Sequence, residues 1–186
     1  AVMIFSGILT QHTAIQGIDF NTLALLTGMM IVVGISEKSG MFQYVAIWGA
    51  KKVNANPRGL LVVLAFVTAF FSAFLDNVTT VLLIVPVTFQ ITKKLDINPY
   101  PYLLLEIFSS NIGGTATLIG DPPNILLGSA LNLSFMDFVK ELTPVVIITM
   151  IVIILIFDFF WCKKLVTTEK RKKDVMNMDE KEAITN

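Results

Sequence analysis

The sequence predicts an all-α, polytopic transmembrane protein, and three observations carry that reading. Over 186 residues the chain is 54% hydrophobic and 15% charged, with a mean hydropathy of +0.73. That balance belongs to integral membrane proteins. The apolar residues come in runs of helical length, separated by short polar breaks. Lys and Arg gather at alternate ends of those runs, as the bias toward the cytoplasmic face requires. The formal net charge is zero, so whole-chain charge selects no partner. Nothing resembles a nucleophile–base pair, a phosphate loop or a nucleic-acid surface, so neither an enzyme nor a nucleic-acid partner is expected. The single cysteine, Cys162, excludes an internal disulfide framework and a Cys-cluster metal site. It reads as a reduced thiol near a helix end, with palmitoylation as the alternative.

The elements follow in order. Residues 1–9 read as the tail of a membrane helix, with no signal peptide, and the chain as a piece of something longer. Residues 11–19 read as a short polar loop, with His12 a solvated loop residue. Residues 20–36 form a span that stops at "SEKSG", with Gly40 ending the helix and Glu37 and Lys38 structural. Residues 41–52 carry Tyr44, Trp48 and two terminal lysines, which suits a short helix in the headgroup region. A turn with Asn-Pro follows.

Two apolar runs, residues 60–75 and 78–91, are separated only by Asp76 and Asn77. They reach roughly 24 and 21 Å, against about 30 Å of hydrocarbon. They are read as a re-entrant hairpin with its tip inside the membrane; two short full helices joined by an outer turn would fit the charges equally. Residues 102–110 make half a crossing, lead into "SSNIGGTATLIGDPPN" and continue at 125–131. Residues 145–161 form an ordinary span. Residues 1–166 are therefore read as the membrane domain, and 167–186 as a charged cytoplasmic linker or tail without apolar period.

The charges fix the sidedness. Lys163, Lys164 and the run "KRKK" put the C-terminal tail inside. Working backwards through the spans, Lys93, Lys94, Lys51, Lys52, Arg58 and Lys38 also fall inside. Of the fourteen basic residues only Lys140 falls outside. The "KRKK" run suits contact with anionic lipid.

Two places carry chemistry. The first is the hairpin tip, where Asp76, Asn77, Thr79 and Thr80 cluster. An ionisable group at that depth costs several kcal/mol unless paired, wet or ion-bound. Carboxylate, amide and hydroxyl oxygens beside helix ends can coordinate a hard cation. The alternative is an outer loop with Asp76 as an N-cap. The glycosylation pattern at Asn77 is set aside because the tip lies in the membrane, and that at Asn132 as chance. The second is the interrupted stretch. Unwound backbone is tolerated in lipid only when buried in protein or lining a cavity. Gly113 and Gly114 let the chain leave helix and approach a ligand, and Pro122 and Pro123 keep it from resuming early. Asn111, Thr115, Thr117, Asp121 and Asn124 supply polar groups. An irregular loop joining two spans is the alternative. Two adjacent interrupted segments point to a transporter's substrate and coupling-ion site.

"LDNVTTVLLIVPVT" and "SNIGGTATLIGDPPN" resemble the two hallmark segments of the arsenite-pump and sodium/proton-antiporter permeases, the ArsB/NhaD group. That group includes the mammalian pigmentation P protein. Its wider relatives are the citrate and dicarboxylate symporters of the ion transporter superfamily. The resemblance covers residues 20–165. It implies two inverted repeats, each with a re-entrant hairpin and an unwound helix whose tips meet at the site. This chain would hold one repeat. By position, Asn77, Thr80, Asn111, Gly114, Thr117 and Asn124 match ion- and substrate-facing segments, and a sodium ion is expected at Asn77, Thr80, Asn111 and Gly114. The dicarboxylate branch carries Ser-Asn-Thr where this chain has Asp76, Asn77 and Val78, a departure that favours the antiporter-like branch. Asp76 and Asp121 are additions that can hold a proton or a cation.

The sequence thus leads to a secondary transporter of ions, of arsenite, anion or sodium/proton exchange type. Sodium-coupled carboxylate symport and an uncoupled channel or scaffold are the rivals. No cofactor is expected beyond a coupling sodium ion or proton. The expected partners are a small ion or anion, the bilayer, the second repeat and, in a homodimer, another copy. The plasma membrane is the expected location. Glu106 is read as pairing with Lys93 or Lys94, with a proton relay as the alternative. Asp158 is read as pairing with Lys163 or Lys164.

Overall fold

The computed structural model describes residues 6–8, 10–18, 20–161 and 165–178. Most of the helix tail expected over residues 1–9, the Cys162 thiol, the lysines expected to pair with Asp158 and the last eight residues lie outside them. Among the described residues every regular element is an α-helix. They are α1 (Gln11–Gln16), α2 (Phe20–Lys38), α3 (Met41–Lys52), α4 (Pro57–Ser72), α5 (Asn77–Leu95), α6 (Tyr100–Gly114), α7 (Pro122–Leu131), α8 (Phe135–Trp161) and α9 (Glu169–Met176). The chain is an all-α polytopic integral membrane protein: α5 and α8 are long and apolar enough to cross a membrane, and α2 and α3, bent by 59° where they join, are so only taken together.

Local chemistry sets the boundaries. Gly40 adopts a left-handed conformation at φ 70° between α2 and α3, a conformation glycine takes without steric cost. Asn56 caps α4 by accepting from the Arg58 amide at 3.2 Å, and Pro57 stands where a helix needs no N–H. Asp96 and Asn132 end α5 and α7 in left-handed conformations. Ser134 and Asp137 cap α8 reciprocally: the Ser134 amide donates to Asp137 Oδ2 at 2.8 Å, and the Asp137 amide donates to Ser134 Oγ at 3.3 Å.

Helix α6 sits at the centre, packed against α4, α5 and α8. Leu60, Leu64, Ile84, Val87, Ile91 and Leu105 form the buried interior. Much of α8 instead presents Ile148, Leu155 and Phe159 outward. That surface is costly in water and neutral in lipid.

Five expectations change. Residues 11–16 form a short helix, started by Thr10 accepting from the Thr13 amide at 3.2 Å, and His12 is exposed on it. Helix α3 is not peripheral; it packs on α4 and α5 and buries Phe42, Ala46, Ile47 and Ala50, because its small residues admit close neighbours. Its Lys52 ammonium lies 4.7 Å from the Trp48 ring centroid. Helix α5 has 19 residues, long enough to span, so of the two hairpin arms only α4, with 16, falls short of a crossing. The expected outer loop before residue 145 is helix from Phe135 on, with Pro144 inside it. The tail is not free chain. Leu165 is buried, Thr167 Oγ1 donates to the Leu95 carbonyl at 2.7 Å, and α9 packs on α5 and α3 with Val175 fully buried. Two apolar residues ten apart make no visible period, and that is why the sequence hid the contact.

The Arg171–Asp96 ion pair, at 2.5 Å, is exposed, so Arg171→Ala should cost no more than about 1 kcal/mol. Val175→Asp would bury an unpaired carboxylate. It should release α9, and limited trypsin digestion should then cut at Lys170, Lys172 and Lys173 much faster than in the parent protein.

Candidate functional site

The hairpin tip is built by the end of α4 and the start of α5. Asp76 is the N-cap of α5: its Oδ1 accepts from the Thr79 amide at 2.9 Å, and its Oδ2 accepts from the Thr79 hydroxyl. The capping alternative for Asp76 is therefore met, while the residue remains at the junction. Asn77 begins the helix and reaches across to α6, where its Nδ2 donates to Asn111 Oδ1 at 2.9 Å. Asn111 Nδ2 in turn donates to the Ile107 carbonyl at 2.7 Å, which fixes the amide's orientation. The two interrupted segments thus touch through a pair of side-chain amides 34 residues apart.

Below that pair, backbone meets backbone. Ser72 Oγ donates to the Ser110 carbonyl at 2.5 Å. A methyl group on Gly113 would stand 2.3 Å from the Ala69 carbonyl oxygen, and one on Gly120 would stand 2.6 Å from that of Ser72. Gly113 and Gly114 remain helical, within α6. The chain does not leave helix at them, as the sequence suggested; their missing side chains bring α6 against α4 and residue 120. Gly120, which the sequence pattern does not single out, is packed between the Gly114 and Ser72 carbonyls.

The unwound segment, residues 115–121, is tied down by its own polar groups. Thr117 Oγ1 donates to the Ala73 carbonyl at the tip and accepts from the Gly120 amide at 3.1 Å. Asn124 Nδ2 donates to the carbonyls of Thr117 at 2.9 Å and Thr115 at 3.3 Å. Carbonyls freed by the break are therefore met by one amide. Thr115 bonds back to the Ile112 carbonyl at 2.7 Å. Asp121 stands at the N-cap position of α7 without a side-chain capping bond and lies within electrostatic reach of Asp76. Pro122 and Pro123 open α7 rather than delay it, and neither has an N–H. The Asn124 amide is used by the Asp121 carbonyl at 3.0 Å. The start of α7 therefore offers no row of free amides to an anion, and the start of α5 is closed by Asp76. The junction is rich in oxygen and poor in donors.

Beside Asn77 and Asn111 lies an open pocket of about 290 Å³ lined also by Val78, Leu82, Ile107 and Ser110. Pro86, inside α5, has no N–H to give the Leu82 carbonyl, so one backbone acceptor at this wall lacks its intrahelical donor. Thr80 is buried and its hydroxyl has no hydrogen-bond partner. Glu106 pairs with neither Lys93 nor Lys94, which are exposed. It is fully buried and accepts from the Thr88 hydroxyl. The inward direction of Glu106 is not legible in the sequence.

Polar groups gathered at two interrupted helices within an apolar bundle define a membrane transport protein. Comparison with known proteins gives the family: the chain belongs to the citrate transporter family, whose model matches residues 1–185. It is 44% identical over 99% of its length to an uncharacterized transporter of Mycobacterium tuberculosis, covering 44% of that protein. It is 46% identical over 90% of its length to a 46 kDa membrane protein of Mycobacterium leprae, covering 39% of it. It is 37% identical over 83% of its length to the human P protein, covering 19% of it. The chain thus spans less than half the length of these relatives. The family model matched is the citrate one, and the P protein stands among the relatives.

Gly113→Ala should force α4 and α6 apart and cost roughly 1–3 kcal/mol. Gly34→Ala, which meets nothing within 4 Å, should be neutral or stabilising by up to about 1 kcal/mol. Thermal melts of the two variants in detergent would check the contrast.

Proposed function

We propose that the full-length protein is a secondary active transporter and that this chain supplies one of two repeats. The coupling cation or proton is held between hairpin tip and interrupted helix. The observation that carries the reading is the Asn77–Asn111 hydrogen bond, made beside a pocket and with Asp76 and Asp121 within electrostatic reach of each other. Two carboxylates near each other in a low-dielectric setting favour a bound positive charge. A proton would sit on Asp76 or Asp121. A sodium ion would draw on oxygens of Asp76, Asn77, Thr80, Asn111 and Gly114. Neutralisation of the tip then admits an anionic substrate, and rocking of the site against the rest of the bundle exposes it to each side in turn.

The family's description supports a small carboxylate of the citrate type as substrate. Exchange of sodium for protons, or export of an arsenite-like anion, is the second reading; the Asp76-Asn77-Val78 tip favours it, since the extra carboxylate suits a cation better than a carboxylate substrate. The lengths of the mycobacterial relatives leave room for a second repeat, and the resemblance supports an inverted one. The basic residues of the tail support a cytoplasmic C-terminal side, in a plasma membrane. A homodimer is compatible with the outward apolar faces.

The test is flux in vesicles containing the full-length protein, with citrate, sodium and arsenite supplied separately under proton or sodium gradients. Saturable citrate uptake driven by one gradient is expected. Asn77→Ala and Asn111→Ala should each lower it about tenfold or more. Asp76→Asn should remove its dependence on the driving cation. Flux that does not saturate, or that ignores all three substitutions, would indicate a channel or a scaffold instead.

A further inference from the structure

A second ionisable centre lies about three helical turns along α5 from the tip. Glu106 of α6 is fully buried, its Oε1 accepts from Thr88 of α5, and its Oε2 has no hydrogen-bond partner. Charged groups on the surrounding helices do not reach it. Arg58 of α4 and Lys93 and Lys94 of α5 are exposed, and Asp76 is tied to Thr79. On α8, Asp137, Lys140 and Glu141 are exposed at the start of the helix, and Asp158 is half-buried. Tyr102, one turn before Glu106 on α6, spends its hydroxyl on the Pro57 carbonyl at 2.8 Å. None of these forms an ion pair with Glu106. An ionised carboxylate with one neutral donor in such a place is expensive, and such groups neutralise instead.

Hydroxylic residues line the same helix interface as Glu106. Ser109 and Ser110, three and four residues further along α6, share its face. Both are buried, as are Thr68 and Ser72 on the face of α4 that meets α6. The hydroxyls of Ser109 and Thr68 have no hydrogen-bond partner. Ser110 lines the pocket beside Asn77 and Asn111. On the other side, Thr92 Oγ1 donates to the Thr88 carbonyl at 2.7 Å, one turn nearer the basic end of α5. Hydroxyls therefore extend from Glu106 toward the pocket in one direction and toward Lys93 and Lys94 in the other. A hydroxyl both donates and accepts. A metal cation would need a shell of several oxygens, and no group of three acidic, histidine or cysteine side chains occurs among the described residues.

We propose that Glu106 is a proton-binding site, separate from the tip, held as the neutral acid within the interface of α4, α5 and α6. In that form Thr88 donates to Oε1, and the proton rests on Oε2, which is buried without a donor of its own. The proton leaves as a hydrated proton and leaves the carboxylate behind; no bond other than O–H breaks. Proton loss places an unpaired charge where α5 meets α6, so it requires water to enter or the two helices to part. That second step, coupling of the proton to access, rests on the transporter reading. The binding site itself does not.

The test is infrared spectroscopy of the full-length protein in lipid at neutral pH. A carboxylic-acid C=O band is expected that is lost in Glu106→Gln and retained in Asp76→Asn and Asp121→Asn. Absence of the band in the parent protein, or its persistence in Glu106→Gln, overturns the proposal. Should Glu106→Gln fail to fold, Thr88→Val reads the same site. Loss of the donor should move the band to higher frequency, and an unmoved band again overturns the assignment. Flux in vesicles is read separately. A band assigned to Glu106 with proton-independent flux in both parent and Glu106→Gln upholds the site and sinks only its coupling.

Discussion

The structure depends on how closely the backbones of α4 and α6 approach each other. A run of non-helical chain within a membrane domain needs partners for its polar groups, because lipid supplies none. Here the partners come from the hairpin tip: the Ala73 carbonyl takes the Thr117 hydroxyl, and the Ser110 carbonyl takes the Ser72 hydroxyl. Those bonds are reachable only because Gly113, Gly114 and Gly120 carry no side chain where the two segments cross. The tip and the break are therefore one unit, each satisfying what the other leaves open.

That unit sets the electrostatic character of the junction. Aspartates stand at the starts of α5 and α7, where a helix offers positive potential. Two prolines remove amides that an anion would otherwise use. The tip carboxylates are only partly covered and lie near a pocket, whereas Glu106 is enclosed by apolar and hydroxylic groups. The acidic groups of α5, α6 and α7 thus differ sharply in exposure.

Much of the arrangement is legible in the amino-acid pattern. Asp76 and Asn77 between two apolar runs mark a turn, and glycines with prolines mark an interruption, since each residue type has a local backbone consequence. That the two places touch is legible only through the resemblance; nothing in local pattern pairs Asn77 with Asn111. The purpose of Gly113 and Gly114 escapes the pattern because a glycine signals either conformational freedom or close packing, and spacing does not separate them. The direction of Glu106 escapes it because lysines 12 and 13 residues earlier look near along the chain. Helix α9 is hidden because a single buried valine in a highly charged stretch gives no period. Each difference concerns which face a side chain presents, and that is decided by tertiary packing.

Pro86 divides α5 mechanically. One hydrogen bond is missing at that turn, so the helix is least stiff there. On one side are Asn77 and the pocket wall; on the other is Thr88, moored to Glu106. A flexure at this point swings the upper arm as a lever while the lower arm stays fastened, so the mouth of the pocket can widen without disturbing the acidic residue beneath it.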